Sequence, residues 1–272
     1  MTSQALTQHI WRKKSYLCVG LDTDPTKIPA HLRQSPDPIF EFNKQIIDAT
    51  ADFCVAYKPN WAFYEALGSQ GWDSLQKTLE YIPDEMFVIA DAKRGDIGNT
   101  AHKYAAAFFE HHKVDAVTLS PYMGYDSVSP FTNQPNRWAI LLALTSNPGS
   151  ADFQLLELRN GRMLFEQVIE TALTWPNNEQ LMFVVGATQA EMLGQIRQLA
   201  PEHFLLVPGV GVQGGSLEQV SRYGLNAQGG LLVNASRSIL YAADGTDFAI
   251  AARREALALK QEMGRYLEQY GR

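Results

Sequence analysis

Cysteine is scarce: Cys18 and Cys54 are the only two in 272 residues. A small secreted domain stapled by disulfides carries more, and both of these fall in apolar runs where a buried free thiol is the expected state. No apolar run approaches the roughly 20 residues that a membrane-spanning helix needs. The first residues lack the apolar core of a secretion signal, so a cytoplasmic location is expected. Basic charge is also short. The formal net charge is −6, which argues against nucleic-acid or membrane-surface partners, because both require a basic face. A small anionic substrate remains compatible, since a site can be basic locally. His9, His31, His102 and His203 form no ligand spacing, and His111 and His112 end a helical pattern, so no metal is expected. Low-complexity segments, short-period repeats and composition breaks that would mark a second domain are all missing.

What is present is an apolar content of 46%, that of a globular protein with a sizeable core. Eight short apolar runs follow in order: Tyr16–Leu21, Phe53–Tyr57, Met86–Ala90, Ala116–Leu119, Trp138–Leu144, Met182–Val185, Phe204–Val207 and Leu231–Val233. Most are apolar at successive positions without alternation, the mark of strands covered on both faces. Helical patterns lie between them at Ile39–Thr50, Thr100–His112, Gly161–Leu173, Gln189–Leu199 and Asp247–Glu268, with Asn99 or Thr100 available to cap the second. This alternation predicts one (β/α)₈ (TIM) barrel domain over residues 1–272, with a short N-terminal helical lead-in. Chemistry in that fold sits at the C-terminal ends of the strands. The polar residues closing the runs are Asp22, Lys58, Asp91 with Lys93, Ser120, Ser146, Gln213 and Arg237.

The most specific of these endings is Asp91-Ala-Lys93-Arg-Gly-Asp96-Ile-Gly-Asn-Thr100. On a strand, Asp91 and Lys93 point to the same side. A lysine buried among carboxylates is costly unless the charges neutralise one another, so the grouping suits proton and anion handling. Nearby carboxylates keep Lys93 protonated and able to donate. Pro59 holds Lys58 extended, which aims it inward. Thr145-Ser146-Asn147-Pro148-Gly149 is a turn signal, and the loop on to Gly161 could act as a flap. The run from Pro208 to Gly215 contains a G-x-G-x-x-G string. Its late position, and Asn234 where a dinucleotide fold expects an acid, favour instead a barrel phosphate site built with Asn234-Ala-Ser236-Arg237. Arg237 suits bidentate phosphate binding.

The ten-residue string resembles the signature of orotidine 5′-phosphate decarboxylases of the longer bacterial form. The resemblance extends from Asp22 through Lys58, Ser146 and Gln213 to Arg237. It implies a cofactor-free and metal-free lyase converting orotidine 5′-phosphate to UMP and CO₂. In that reading Asp91, Lys93, Lys58 and Asp96 are catalytic, and Lys93 protonates C6. Asp22 binds a ribose hydroxyl and Ser146 the pyrimidine amide. The phosphate falls to Gln213, Arg237 and the Ser236 and Arg237 amides, with Pro208 at the head of the loop. Asp96, Ile97 and Thr100 reach the neighbouring site of a homodimer. One departure is Ser236, where shorter family members usually carry glycine. The rivals are a Mg²⁺-dependent sugar-phosphate decarboxylase or aldol lyase on the same barrel, and a non-catalytic UMP-binding module.

Overall fold

The strands sit where apolar segments are long enough to cross a barrel wall. They are β1 Leu17–Leu21, β2 Ala56–Pro59, β3 Phe87–Arg94, β4 Ala116–Leu119, β5 Trp138–Leu144, β6 Leu181–Val185, β7 Phe204–Pro208 and β8 Leu231–Ala235. In the computed structural model, which describes residues 1–188, 190–210 and 214–271, they pair in parallel in sequence order. β8 returns to β1, so the barrel is closed. Every residue of β1, β6 and β8 is buried. Each buried Leu, Val or Ile contributes about 1.5–3 kcal/mol relative to exposure. The wall is therefore held by apolar packing, and the polar strand ends are free for chemistry.

The helices are α1 Ser3–Lys13, α2 Pro38–Thr50, α3 Trp61–Glu65, α4 Gly68–Tyr81, α5 Gly98–Ala106, α6 Tyr125–Thr132, α7 Leu164–Ala172, α8 Ala190–Leu199, α9 Leu217–Gly224, α10 Arg237–Leu240 and α11 Phe248–Tyr270. α1, the lead-in, buries Leu6 and Ile10 completely. Its Lys13 Nζ donates to the carbonyls of Ala51 and Cys54 at 2.5 and 3.0 Å, at the entrance to β2. α2 is started by Asp37, whose carboxylate accepts the Phe40 N–H at 3.1 Å. Asn43, fully buried on α2, accepts from Thr23 Oγ1 at 2.5 Å. It donates to Tyr64 and Thr78, each at 3.0 Å, tying the end of β1 to three helices.

Several expected boundaries move for local reasons. β2 begins at Ala56 rather than Phe53, because the amides of Phe53 and Cys54 still bond back to Thr50 at 2.9 and 3.2 Å. Neither Asn99 nor Thr100 caps α5. Ile97 holds the N-cap position, and Gly98, at φ 56°, makes the reversal that places Asn99 and Thr100 inside the first turn. Beyond Ala106 the helix widens into a π turn over Ala107–His111, with the His112 amide bonded to Ala107 at 3.0 Å. α7 starts at Leu164 rather than Gly161, since Glu157 pairs with Met163. Glu166 then accepts the Met163 N–H at 2.9 Å. Gln189, expected to open α8, lies outside the described residues.

Candidate active site

The C-terminal mouth is organised around one buried carboxylate between two ammonium groups. Pro59 continues β2, so Lys58 is a strand residue and its side chain is only 4% exposed. Its Nζ meets Asp91 Oδ2 at 2.7 Å, while Lys93 Nζ meets Oδ1 of the same carboxylate at 2.5 Å. Burial alone would push the Asp91 carboxyl up, but the charges of Lys58 and Lys93 outweigh it and hold the group at about 2. Burial likewise works against the Lys58 ammonium, and Asp91 and Asp22 reverse that, leaving it above the ordinary lysine value. The trio carries a net positive charge at neutral pH.

Two expectations about Lys93 are corrected. The buried lysine is Lys58; the Lys93 side chain is 53% exposed. Nor do Asp91 and Lys93 meet through simple strand alternation. β3 pairs regularly with β4 at Ala90↔Val117, and pairing resumes at Arg94↔Leu119. Three residues of β3 therefore stand against one of β4, and Lys93 takes a left-handed φ of 48°. That irregular turn brings its side chain back over Asp91.

Asp22 follows β1, the strand beside that of Lys58. Its backbone is held by two tyrosines: Tyr64 Oη donates to the Leu21 carbonyl at 3.0 Å, and Tyr241 Oη to that of Asp22 at 3.1 Å. Ser236 Oγ donates to Asp22 Oδ2 at 2.8 Å. Among the described residues Asp22 Oδ1 is buried with no partner, and so is Oδ1 of the neighbouring Asn234. Buried acceptors without donors are costly, so this wall suits a ligand carrying hydroxyl groups. Sequence reading named Asn234 only as the start of the phosphate-site string and gave its side chain no role of its own. Its signal was a polar residue directly after the apolar run of β8.

Asp22, Lys58, Asp91, Asn234, Ser236 and Arg237 line a cavity of about 490 Å³, completed by Pro208–Val210, Gly214 and Ser238. That volume is suited to a small molecule. On the loop after β7 that lines the cavity, Gly209 has φ 90°. A Cβ on Gly214 would come within 1.6 Å of the Gly209 carbonyl oxygen, so that turn is closed to any side chain. Arg237 is exposed at the cavity edge. Gln213, the expected second phosphate ligand, lies outside the described residues. A larger cavity of about 760 Å³ opens where β5, β6 and β7 begin, beside Trp138, Leu181 and Phe204. It lies at the wrong end of the barrel for strand-end chemistry.

Ser146 stands exposed on the rim, packed so closely on Gly186 that a Cβ there would meet its own at 2.7 Å. The loop after it is anchored at its base, where Gln154 Oε1 accepts the Thr145 N–H at 2.8 Å. Asp96 is not brought into the trio by this chain: its Oδ1 accepts the adjacent Ile97 N–H at 2.8 Å. Thr100 is exposed on the first turn of α5. Among the described residues no three His, Cys, Asp or Glu side chains converge as metal ligands.

A mouth of alternating lysine and aspartate charges beside a glycine-lined loop, at the C-terminal ends of the strands, is that of a barrel enzyme. The family can be stated more closely. The chain belongs to the orotidine 5′-phosphate decarboxylase / HUMPS family, whose model matches residues 15–251. It is 59% identical to the orotidine 5′-phosphate decarboxylase of Parabacteroides distasonis, over 100% of this chain and 98% of that one. It is 60% identical to the enzyme of the same name from Porphyromonas gingivalis, over 97% and 96%. The solved structure of Leishmania donovani OMP decarboxylase superposes with a TM-score of 0.81 at 38% identity, covering 96% of this chain and all of that one.

Proposed function

We propose that this mouth decarboxylates orotidine 5′-phosphate to UMP, the last step of de novo pyrimidine synthesis, in the cytoplasm and with neither metal nor cofactor. The observation that carries the reading is Asp91 held between Lys58 and Lys93 at 2.7 and 2.5 Å. When CO₂ leaves C6, the bonding pair stays in an sp² orbital orthogonal to the ring π system, so the ring carbonyls do not delocalise it. A fixed cation beside C6 stabilises that pair, and Lys93 Nζ then gives it a proton, recovering one from solvent. Asp91 lies beside the departing carboxylate and disfavours the ground state. Lys58 keeps Asp91 ionised and in place.

The remaining residues bind. Asp22 Oδ1 is free for a ribose hydroxyl, and Ser146 on the rim reads the pyrimidine amide. Pro208, Gln213, Ser236 and Arg237 hold the phosphate, and binding energy collected there drives the chemistry at C6. The chain works as a homodimer in which Asp96 and Thr100 complete the neighbouring site. Two features support this: Asp96 lacks a catalytic partner in its own chain, and Ile97, Tyr122 and Met123 along the same edge are 55%, 89% and 42% exposed. No helix among the described residues is long and apolar enough to cross a membrane.

The test is the fall in absorbance of orotidine 5′-phosphate on adding purified protein, with and without EDTA. Conversion to UMP and CO₂ at the same rate in both is expected. Folded protein that leaves the substrate intact would overturn the assignment. Activity that EDTA abolishes would point instead to Mg²⁺-dependent chemistry on a sugar phosphate.

A further inference from the structure

We propose that Thr118, in the middle of β4, is a positioning residue for the reaction: its hydroxyl stands in for the β-ladder where β3 breaks register and so holds Asp91 and Lys93 in their catalytic relation. The inference rests on the decarboxylase reading of the site. Between Ala90↔Val117 and Arg94↔Leu119, β3 has three residues and β4 has one, which is Thr118. A regular ladder cannot serve three backbone amides with one carbonyl, and unpaired buried N–H groups are costly. Thr118 Oγ1 accepts the N–H of Ala92 at 3.0 Å and that of Lys93 at 2.9 Å. Its own proton is directed at Asp91 Oδ1, 3.1 Å away, with the Ala90 carbonyl oxygen farther off at 3.5 Å. A hydroxyl has one proton and two lone pairs; all three are engaged here, on a side chain 1% exposed.

What the hydroxyl holds is an unfavourable backbone. A left-handed backbone is unfavourable for a lysine, and such strain persists only where the surroundings over-determine it. Lys93 itself is half exposed, so packing does little to fix it. The irregular turn is fastened from β4 by Thr118 and, on its far side, by Arg94, whose Nη1 donates to the Ala92 carbonyl at 2.8 Å. The ladder then resumes with the Ser120 N–H bonded to the Arg94 carbonyl at 2.8 Å. One side chain thus bonds both the Lys93 backbone and the Asp91 carboxylate that Lys93 pairs with. Thr118 lies beneath them and outside the cavity lining, so it acts through them.

The experiment compares Thr118→Val, of equal shape but without the hydroxyl, with Thr118→Ser, which keeps it. Steady-state kinetics are measured on orotidine 5′-phosphate beside the wild-type enzyme. Misplacing a reacting group by about 1 Å costs on the order of a hundredfold. Thr118→Val should lose about that much in kcat, with KM within about threefold, because an interaction used in the transition state falls on kcat. Thr118→Ser should recover most of the lost turnover. Should the valine variant fail to fold, Thr118→Cys takes its place, since a thiol fills the space yet accepts hydrogen bonds only weakly. A folded valine or cysteine variant with wild-type kcat overturns the positioning role, as does a serine variant no better than valine. Wild-type turnover in the same assay separates that outcome from failure of the decarboxylase reading.

Discussion

Lys93→Ala folds like the wild type and loses at least about four orders of magnitude in kcat, the combined scale of removing a proton donor and a fixed transition-state charge. The two halves of that expectation rest on different observations. Lys93 is 53% exposed, and its one ion pair among the described residues is with Asp91. An ion pair with so exposed a partner is worth about 0–1 kcal/mol. Asp91 keeps Lys58 at 2.7 Å and the Thr118 hydroxyl at 3.1 Å, so the buried carboxylate is not stranded. Alanine pays a similar backbone cost at φ 48°, so no relief of strain obscures the result. The catalytic loss is large because Lys58, the other cation, is committed to Asp91 at 2.7 Å. Circular dichroism and the thermal midpoint report the fold, and the absorbance assay reports turnover. Retention of more than a tenth of wild-type kcat would remove Lys93 from the proton transfer.

Mixing two dead enzymes restores activity. In the proposed shared-site dimer, Asp96→Ala and Lys93→Ala homodimers each lack a group at both mouths. After subunit exchange, a heterodimer concentrates both lesions in one mouth and leaves the other whole. Random pairing makes half the dimers mixed, each with one intact site, so about a quarter of wild-type activity returns under the two-fold symmetry of a shared interface. The observation behind this is the position of Asp96. It sits five residues past Asp91, with its Oδ1 on the Ile97 amide and no bond to the lysines of its own chain. Activity that stays at the level of the separate variants, with exchange demonstrated by mass-labelled subunits, would make each mouth self-sufficient and leave Asp96 a surface residue.

The barrel was legible in the sequence because strands covered on both faces leave unbroken apolar runs. β4 and β5 match their predicted limits to the residue, and β1, β6 and β7 lie within one residue of theirs. Helices were harder to read where their signals were mixed. α4 opens with two glycines among polar residues, and α6 carries Pro130 inside it. The charged trio was readable because lysines and aspartates seldom close apolar runs without a reason. Its geometry was not, because a register break is a relation between two strands. The alternation rule correctly paired Asp91 with Lys93 but for the wrong reason, and it named the wrong lysine as buried. Thr118 was invisible for a related cause: a threonine inside a strand looks like any β-branched residue until the neighbouring strand is seen to lack a partner there.

Cys18 lies in β1, opposite Ala56 of β2 and Asn234 of β8, and Cys54 immediately precedes Val55 and β2. Both are free and have no exposed surface. Burial pushes the Cys54 thiol up to about 11 and the Cys18 thiol above its ordinary range. The folded protein therefore offers no thiolate to a reagent at neutral pH, and the Cys18 sulfur becomes a clock on the seam where β8 meets β1, with Cys54 a second one at the entrance to β2. An aromatic disulfide reagent should react at once with both in denaturant. In buffer it should react at rates that stop rising with reagent concentration, because the barrel must open locally before either sulfur meets solvent. Immediate labelling of the native chain would mean that the seam stands open.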